Sequence, residues 1–139
     1  MDSLLDKLVP ENHLVRKLNN ILDFSFIADV LESYATNENS DIIFIAKYLL
    51  LIHLYHLDRE MKINMPLPER IDQEINDNMA YRLFLEIYLD EHAQKYNEIM
   101  QATVTHGSQE KWTAILTSLL QQCKENGLPY EQGSAGDYE

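Results

Sequence analysis

Ile42-Ile43-Phe44-Ile45-Ala46-Lys47-Tyr48-Leu49-Leu50-Leu51-Ile52-His53-Leu54-Tyr55-His56-Leu57 is the stretch that decides the fold. Its apolar residues fall on most faces of a helix, so it reads as a helix buried on nearly all sides at the centre of a bundle. Lys47, His53 and His56 interrupt it, and it is too short and too polar to span a membrane. Ser40 suits the N-cap, and Asp41 sets negative charge at the positive end of the helix dipole. The predicted helix therefore runs over 41–57.

Working outward toward the N-terminus, Thr36-Asn37-Glu38-Asn39-Ser40 predicts a loop. Phe26, Ile27, Val30, Leu31 and Tyr34 then predict a helix over 26–34, capped by Asp23 or Ser25. Leu14, Val15, Leu18, Ile21 and Leu22 repeat at helical spacing. Pro10 suits the first turn of that helix, where its missing N–H costs nothing. A short helical lead is expected over 3–8.

On the other side, Asp58-Arg59-Glu60 begins a short helix or turn, and Met65-Pro66-Leu67-Pro68 breaks it. Helices are predicted over 69–76, 78–89, 91–103 and 109–126. Tyr81, Phe84, Leu85 and Tyr88 form an aromatic face on the second, Asp90 caps the third and Ser108 caps the last. Gly127 and Pro129 stop the last helix. No internal repeat or strand-type alternation competes with this pattern. The expectation is an all-α fold: a single compact bundle of about six to seven helices, with helix-turn-helix character, in residues 1–128. A flexible acidic tail follows over 129–139.

Composition agrees. A chain of 139 residues with 45% hydrophobic content has the size and apolar share of one globular domain. Gly and Pro, at 4 each, are too scarce for a turn-rich β-sandwich. The lone Cys123 forms no internal disulfide and reads as a small buried side chain, not a nucleophile, since no base stands near it in sequence. No signal peptide is visible, so a reducing cytoplasmic setting and no membrane partner are expected.

Two phrases carry a resemblance. One is Leu8-Val9-Pro10-Glu11-Asn12-His13-Leu14-Val15-Arg16-Lys17, running on to Asp23-Phe24-Ser25-Phe26-Ile27. The other is Asn76-Asp77-Asn78-Met79-Ala80-Tyr81-Arg82-Leu83-Phe84-Leu85. A third, weaker one is Gln121-Gln122-Cys123-Lys124-Glu125-Asn126-Gly127-Leu128. Together they resemble the N-terminal helical domain of DDE-class insertion-sequence transposases, over about residues 4–128. The family's Gly-Arg-Pro loop is absent from Thr36–Ser40, residues 61–73 look inserted, and the family's basic segment is here the nearly uncharged 96–111. The chain ends where the family's catalytic domain should begin. Asp137 stands near that domain's first acidic residue, without the later carboxylates that a metal pair needs. The resemblance thus implies a DNA-associated module without transposase chemistry.

Charge pulls the other way. The chain carries 11 Lys+Arg against 23 Asp+Glu, a net charge of −12. Affinity for duplex DNA comes largely from neutralised phosphates, so the few cations must gather on one face. Arg16, Lys17, Arg59, Arg70 and Arg82 are the candidate phosphate contacts, with Arg16 and Arg82 inside the matching phrases. Tyr48, Tyr55, Tyr81, Tyr88 and Trp112 are candidate base-stacking groups, although aromatic side chains at helical spacing more often fill a core. Glu69, Asp72, Glu74, Asp77, Glu86, Asp90 and Glu91 give an acidic stretch that reads as a solvated face or as a surface for a basic partner. His53 and His56 stand three apart without a His-Glu-x-x-His pattern, so no metal site is expected. No Gly-rich phosphate loop or Ser/His/Asp pattern occurs.

Two functions follow as expectations. One is a non-catalytic, transposase-derived binding module that engages DNA at element ends or regulates the transposase. The other is an acidic module that mimics DNA and occupies a basic nucleic-acid-binding protein. No enzyme activity and no cofactor are expected.

Overall fold

The computed structural model describes residues 7–31, 39–59, 65–88, 91–93 and 95–128. Seven helices occupy them: α1 (Leu14–Ile21), α2 (Ile27–Leu31), α3 (Asn39–Leu54), α4 (Leu67–Asp77), α5 (Met79–Leu85), α6 (Tyr96–His106) and α7 (Gln109–Glu125). The fold is all-α. The helical lead expected over 3–8 lies mostly outside the described residues, as do the tail over 129–139 and residues 61–64 of the inserted segment.

The apolar stretch is the centre. Within α3, Ile42, Ile45, Ala46, Tyr48, Leu50, Leu51, Ile52 and Leu54 are all buried. The helix touches α2, α5, α6 and α7. Around it α1 packs on α5 and α7, while α4 packs on α5 and α6. Each fully buried Leu or Ile contributes about 1.5–3 kcal/mol, and no other helix among the described residues puts as many side chains into the core. Among the described residues no helix is long and apolar enough to cross a membrane.

Several helix ends differ from expectation, each for a local reason. Pro10 does not start α1. It accepts from the His13 N–H at 3.1 Å in a turn, and His13 becomes the N-cap, its Nδ1 accepting from Val15 N–H at 3.2 Å. α3 begins at Asn39, so Ser40 lies inside the helix and is not its cap. α3 stops at Leu54 because His56 turns left-handed (φ 52°) and Leu57 N–H bonds back to the Ile52 carbonyl at 3.0 Å. α5 stops at Leu85 in the same way, with Glu86 at φ 59° and Ile87 N–H on the Arg82 carbonyl at 3.0 Å. Gly127 (φ 74°) closes α7, with Leu128 N–H on the Cys123 carbonyl at 2.9 Å.

α6 starts at Tyr96 and not near Asp90, and its caps come from two directions. Glu98 accepts from the Lys95 N–H at 3.1 Å, and Asp72 of α4 accepts from the Tyr96 N–H at 2.7 Å. Ser108 caps α7 as expected, accepting from the Lys111 N–H at 3.3 Å. Gly107 joins α6 to α7 where a Cβ would stand 2.7 Å from Leu31 and 3.3 Å from the Trp112 indole.

Candidate functional site

The second phrase folds into a knot of polar contacts. Asn78 caps α5, accepting from the Tyr81 N–H at 3.1 Å. Asn76 accepts from the Ala93 N–H at 2.9 Å and donates to the Asp72 carbonyl at 2.8 Å. Arg82 is 3% exposed. Its guanidinium donates to the Asn76 carbonyl at 3.1 Å, to the Tyr88 carbonyl and to the Glu91 carbonyl at 2.6 Å. These contacts stitch the irregular chain after α5 onto the end of α4. The expectation that Arg82 meets a DNA phosphate is therefore corrected: its Nη1 and Nη2 are spent on buried carbonyls, and the side chain does not reach the surface.

The first phrase also carries structure. Arg16 is half-buried and donates to the Val9 and Pro10 carbonyls at 2.8 and 3.1 Å, holding the entry to α1. Asp23 accepts from the Ser25 N–H at 2.9 Å, and that bond holds its carboxyl below the usual carboxylate range. The Gln122 side chain then pairs with the Asp23 backbone in both directions, at 2.7 and 2.9 Å, so α7 is tied to the α1–α2 turn.

The other proposed cations differ in exposure, and Arg59 and Arg70 border the same cleft. Lys17 on α1 and Arg59 after α3 are exposed; Arg70 is 7% exposed. Lys47, which the sequence showed only as an interruption, is an internal tie. Its Nζ donates to the Phe84 carbonyl at 3.0 Å and lies 4.9 Å from the Phe84 ring centroid and 5.6 Å from that of Phe24. Burial pushes its pKa down, against a smaller opposing pull from Glu86.

Of the acidic candidates, Glu69, Asp77, Glu86 and Glu91 are exposed. Asp72 and Glu74 are half-buried, and Asp72 is spent as the α6 cap. Asp90 lies outside the described residues. Of the aromatic candidates, Tyr48, Tyr55, Tyr81 and Trp112 belong to the core, and only Tyr88 reaches solvent, at 47% exposure. Trp112 is satisfied by the Thr103 carbonyl at 3.0 Å. The Tyr48 phenol is pushed up by burial and then by the charge of Asp72. Cys123 is buried, and burial pushes its thiol up to about 11, which keeps it protonated and unreactive near neutrality. His53 is exposed and His56 half-buried; among the described residues no group of three His, Cys, Asp or Glu side chains converges as a metal site.

A concavity opens between the end of α3 and the face of α4. It is an open cleft of about 500 Å³, bordered by 55–57, Arg59 and Met65 on one side and by Arg70, Gln73, Glu74, Asp77 and Asn78 on the other, with Tyr81 beneath. Sequence reading had placed Arg70 and the α4 carboxylates in separate groups. Their shared spacing of three and four residues was the available signal that they line one row.

No curated protein and no solved structure matches the chain. Residues 3–102 match the family described as Transposase domain (DUF772), a segment that takes in both phrases and runs into α6. The match covers more than half of the 139 residues, and the chain belongs to this transposase domain family.

Proposed function

We propose that the chain is a non-enzymatic helical binding module of transposition, of the kind that opens DDE-class insertion-sequence transposases, and that it engages duplex DNA at element ends or regulates the transposase there. The observation that carries this reading is the family match across residues 3–102. The exposed Lys17 and Arg59 supply phosphate contacts, with Arg16 held beside the first of them in sequence.

The test is a fluorescence-anisotropy titration with duplexes carrying insertion-sequence inverted repeats, across a range of salt. Two phosphate contacts give a slope of log affinity against log salt of about −2. Lys17→Ala and Arg59→Ala should each remove about one unit of that slope. Absence of binding at low salt overturns the DNA reading.

The net charge of −12 and the exposure of Glu69, Asp77, Glu86 and Glu91 favour a second reading, an acidic surface that binds a basic nucleic-acid-binding protein. Under it the same titration stays flat, and binding to the basic partner weakens as salt rises.

A further inference from the structure

We propose that the outer face of α6 and α7 binds a second copy of this chain, pairing two copies about a two-fold axis. The inference goes beyond DNA binding, because it rests on where the chain carries no net charge.

Charge is segregated along the sequence. From Ile99 to Cys123 the charged side chains are Glu110 and Lys111 alone, one of each sign. The whole net charge of −12 is carried outside that stretch. In space the stretch is one unit. α6 and α7 are joined by Gly107 and Ser108, and both pack on α3. Trp112 Nε1 on α7 donates to the Thr103 carbonyl of α6 at 3.0 Å, which ties the two helices together. Ile99 on α6 and Trp112, Ile115, Leu119 and Cys123 on α7 face the core. The opposite sides of both helices look outward, and on them Gln101, Val104, Thr105, Thr113, Thr117 and Gln121 are exposed. Glu98 borders this face at the start of α6, where its carboxylate accepts from the Lys95 N–H at 3.1 Å.

Charge also selects the occupant. Two copies at −12 repel one another wherever their carboxylates meet, so they approach most easily where neither carries an excess. Duplex DNA finds no surplus of cations on this face, and a basic protein finds no surplus of carboxylates. The residue types suit a copy of themselves. An amide or a hydroxyl both donates and accepts, so across a two-fold axis such groups satisfy their own kind, which two carboxylates cannot do. Val104, 69% exposed, supplies an apolar anchor. The same helix borders a shallow hollow at Gln101, Ala102 and Thr105. A projection beside a hollow is relief that two copies can interlock. With α6 beside it, α7 makes a face about 25 Å long and about 20 Å wide, an extent at the lower end of specific interfaces.

The experiment is sedimentation equilibrium of the full chain over a range of concentrations, at about 0.05 M and about 0.5 M salt. A monomer–dimer equilibrium in the range of about 1–100 μM is expected. It should tighten about tenfold at the higher salt, as the repulsion between the two acidic chains is screened. Duplex binding moves in the opposite sense with salt, so the two readings are told apart. Thr117→Glu and Val104→Glu should each weaken pairing at least about tenfold, by setting like charges across the axis. Thr117→Gln keeps the uncharged type and should pair within about twofold of the parent, and Asp77→Asn on α4 should not weaken pairing. An unchanged thermal melt of each variant shows that the fold is kept. A chain that stays monomeric up to about 1 mM overturns the proposal. So does a dimer that loosens as salt rises, or one that both glutamate variants leave intact. Loss of duplex binding in Thr117→Glu, with the parent chain monomeric, gives the face to DNA and overturns it as well.

Discussion

The Arg82 guanidinium joins two segments that nothing in local sequence connects. It holds the Asn76 carbonyl at the end of α4 and the Tyr88 and Glu91 carbonyls beyond α5. Replacing it with alanine leaves those acceptors unpaired in a buried place, and each costs about 1–3 kcal/mol. Arg82→Ala should therefore lose about 3–5 kcal/mol in urea denaturation. Arg82→Lys should recover only part, since one ammonium cannot span carbonyls placed for a fork. A loss below about 1 kcal/mol for the alanine variant would show that the knot carries little stability. The sequence placed Arg82 among Tyr81, Leu83 and Phe84, which was enough to suspect burial. Its acceptors were not legible, because they are carbonyls, and every residue has one.

Three helices end in the same motif, a left-handed residue followed by an N–H that reaches five residues back. Only the end at Gly127 was legible, because glycine adopts that conformation freely. At His56 and Glu86 the side chains pay a steric cost, and the composition gives no sign of the stop. The predicted helices therefore ran on to 57 and 89, past the observed Leu54 and Leu85. Glu86→Gly should relieve that strain and raise stability by about 0.5–1 kcal/mol, visible as a later urea midpoint with an unchanged slope. A destabilised variant would mean that the pull of Glu86 on Lys47 outweighs the backbone strain. The core elements were legible because their apolar spacing is strong. The caps of α6 were not, since Asp72 reaches Tyr96 from 24 residues away.

The folded unit is larger than the matched segment. The family match closes at residue 102, yet α7 lies beyond it and packs on α1, α2, α3 and α6. It places Trp112, Ile115, Leu119 and Cys123 in the core. Burial of the three larger side chains contributes about 5–9 kcal/mol, comparable with the whole stability of a domain this size. A fragment of residues 1–106 should therefore lose its cooperative thermal transition by circular dichroism, although its helices are otherwise complete. A sharp transition in that fragment would make α7 an accessory and not a wall of the core. The candidate cleft was half legible at this scale. Its α4 row follows from spacing, but its far wall comes from the end of α3, and only the folded chain brings the two together.

The pairing of Gln122 with Asp23 joins residues 99 apart in the sequence. On the ribosome, residues near the N-terminus emerge first and must wait for this partner. A nascent chain that has reached His106 exposes the faces of α1, α2 and α3 that α7 will cover. Its completion is thus a matter of timing. The last helix acts as a latch that the rest of the chain awaits, and slow translation of that stretch lengthens the interval in which the apolar centre is open to chaperones and proteases.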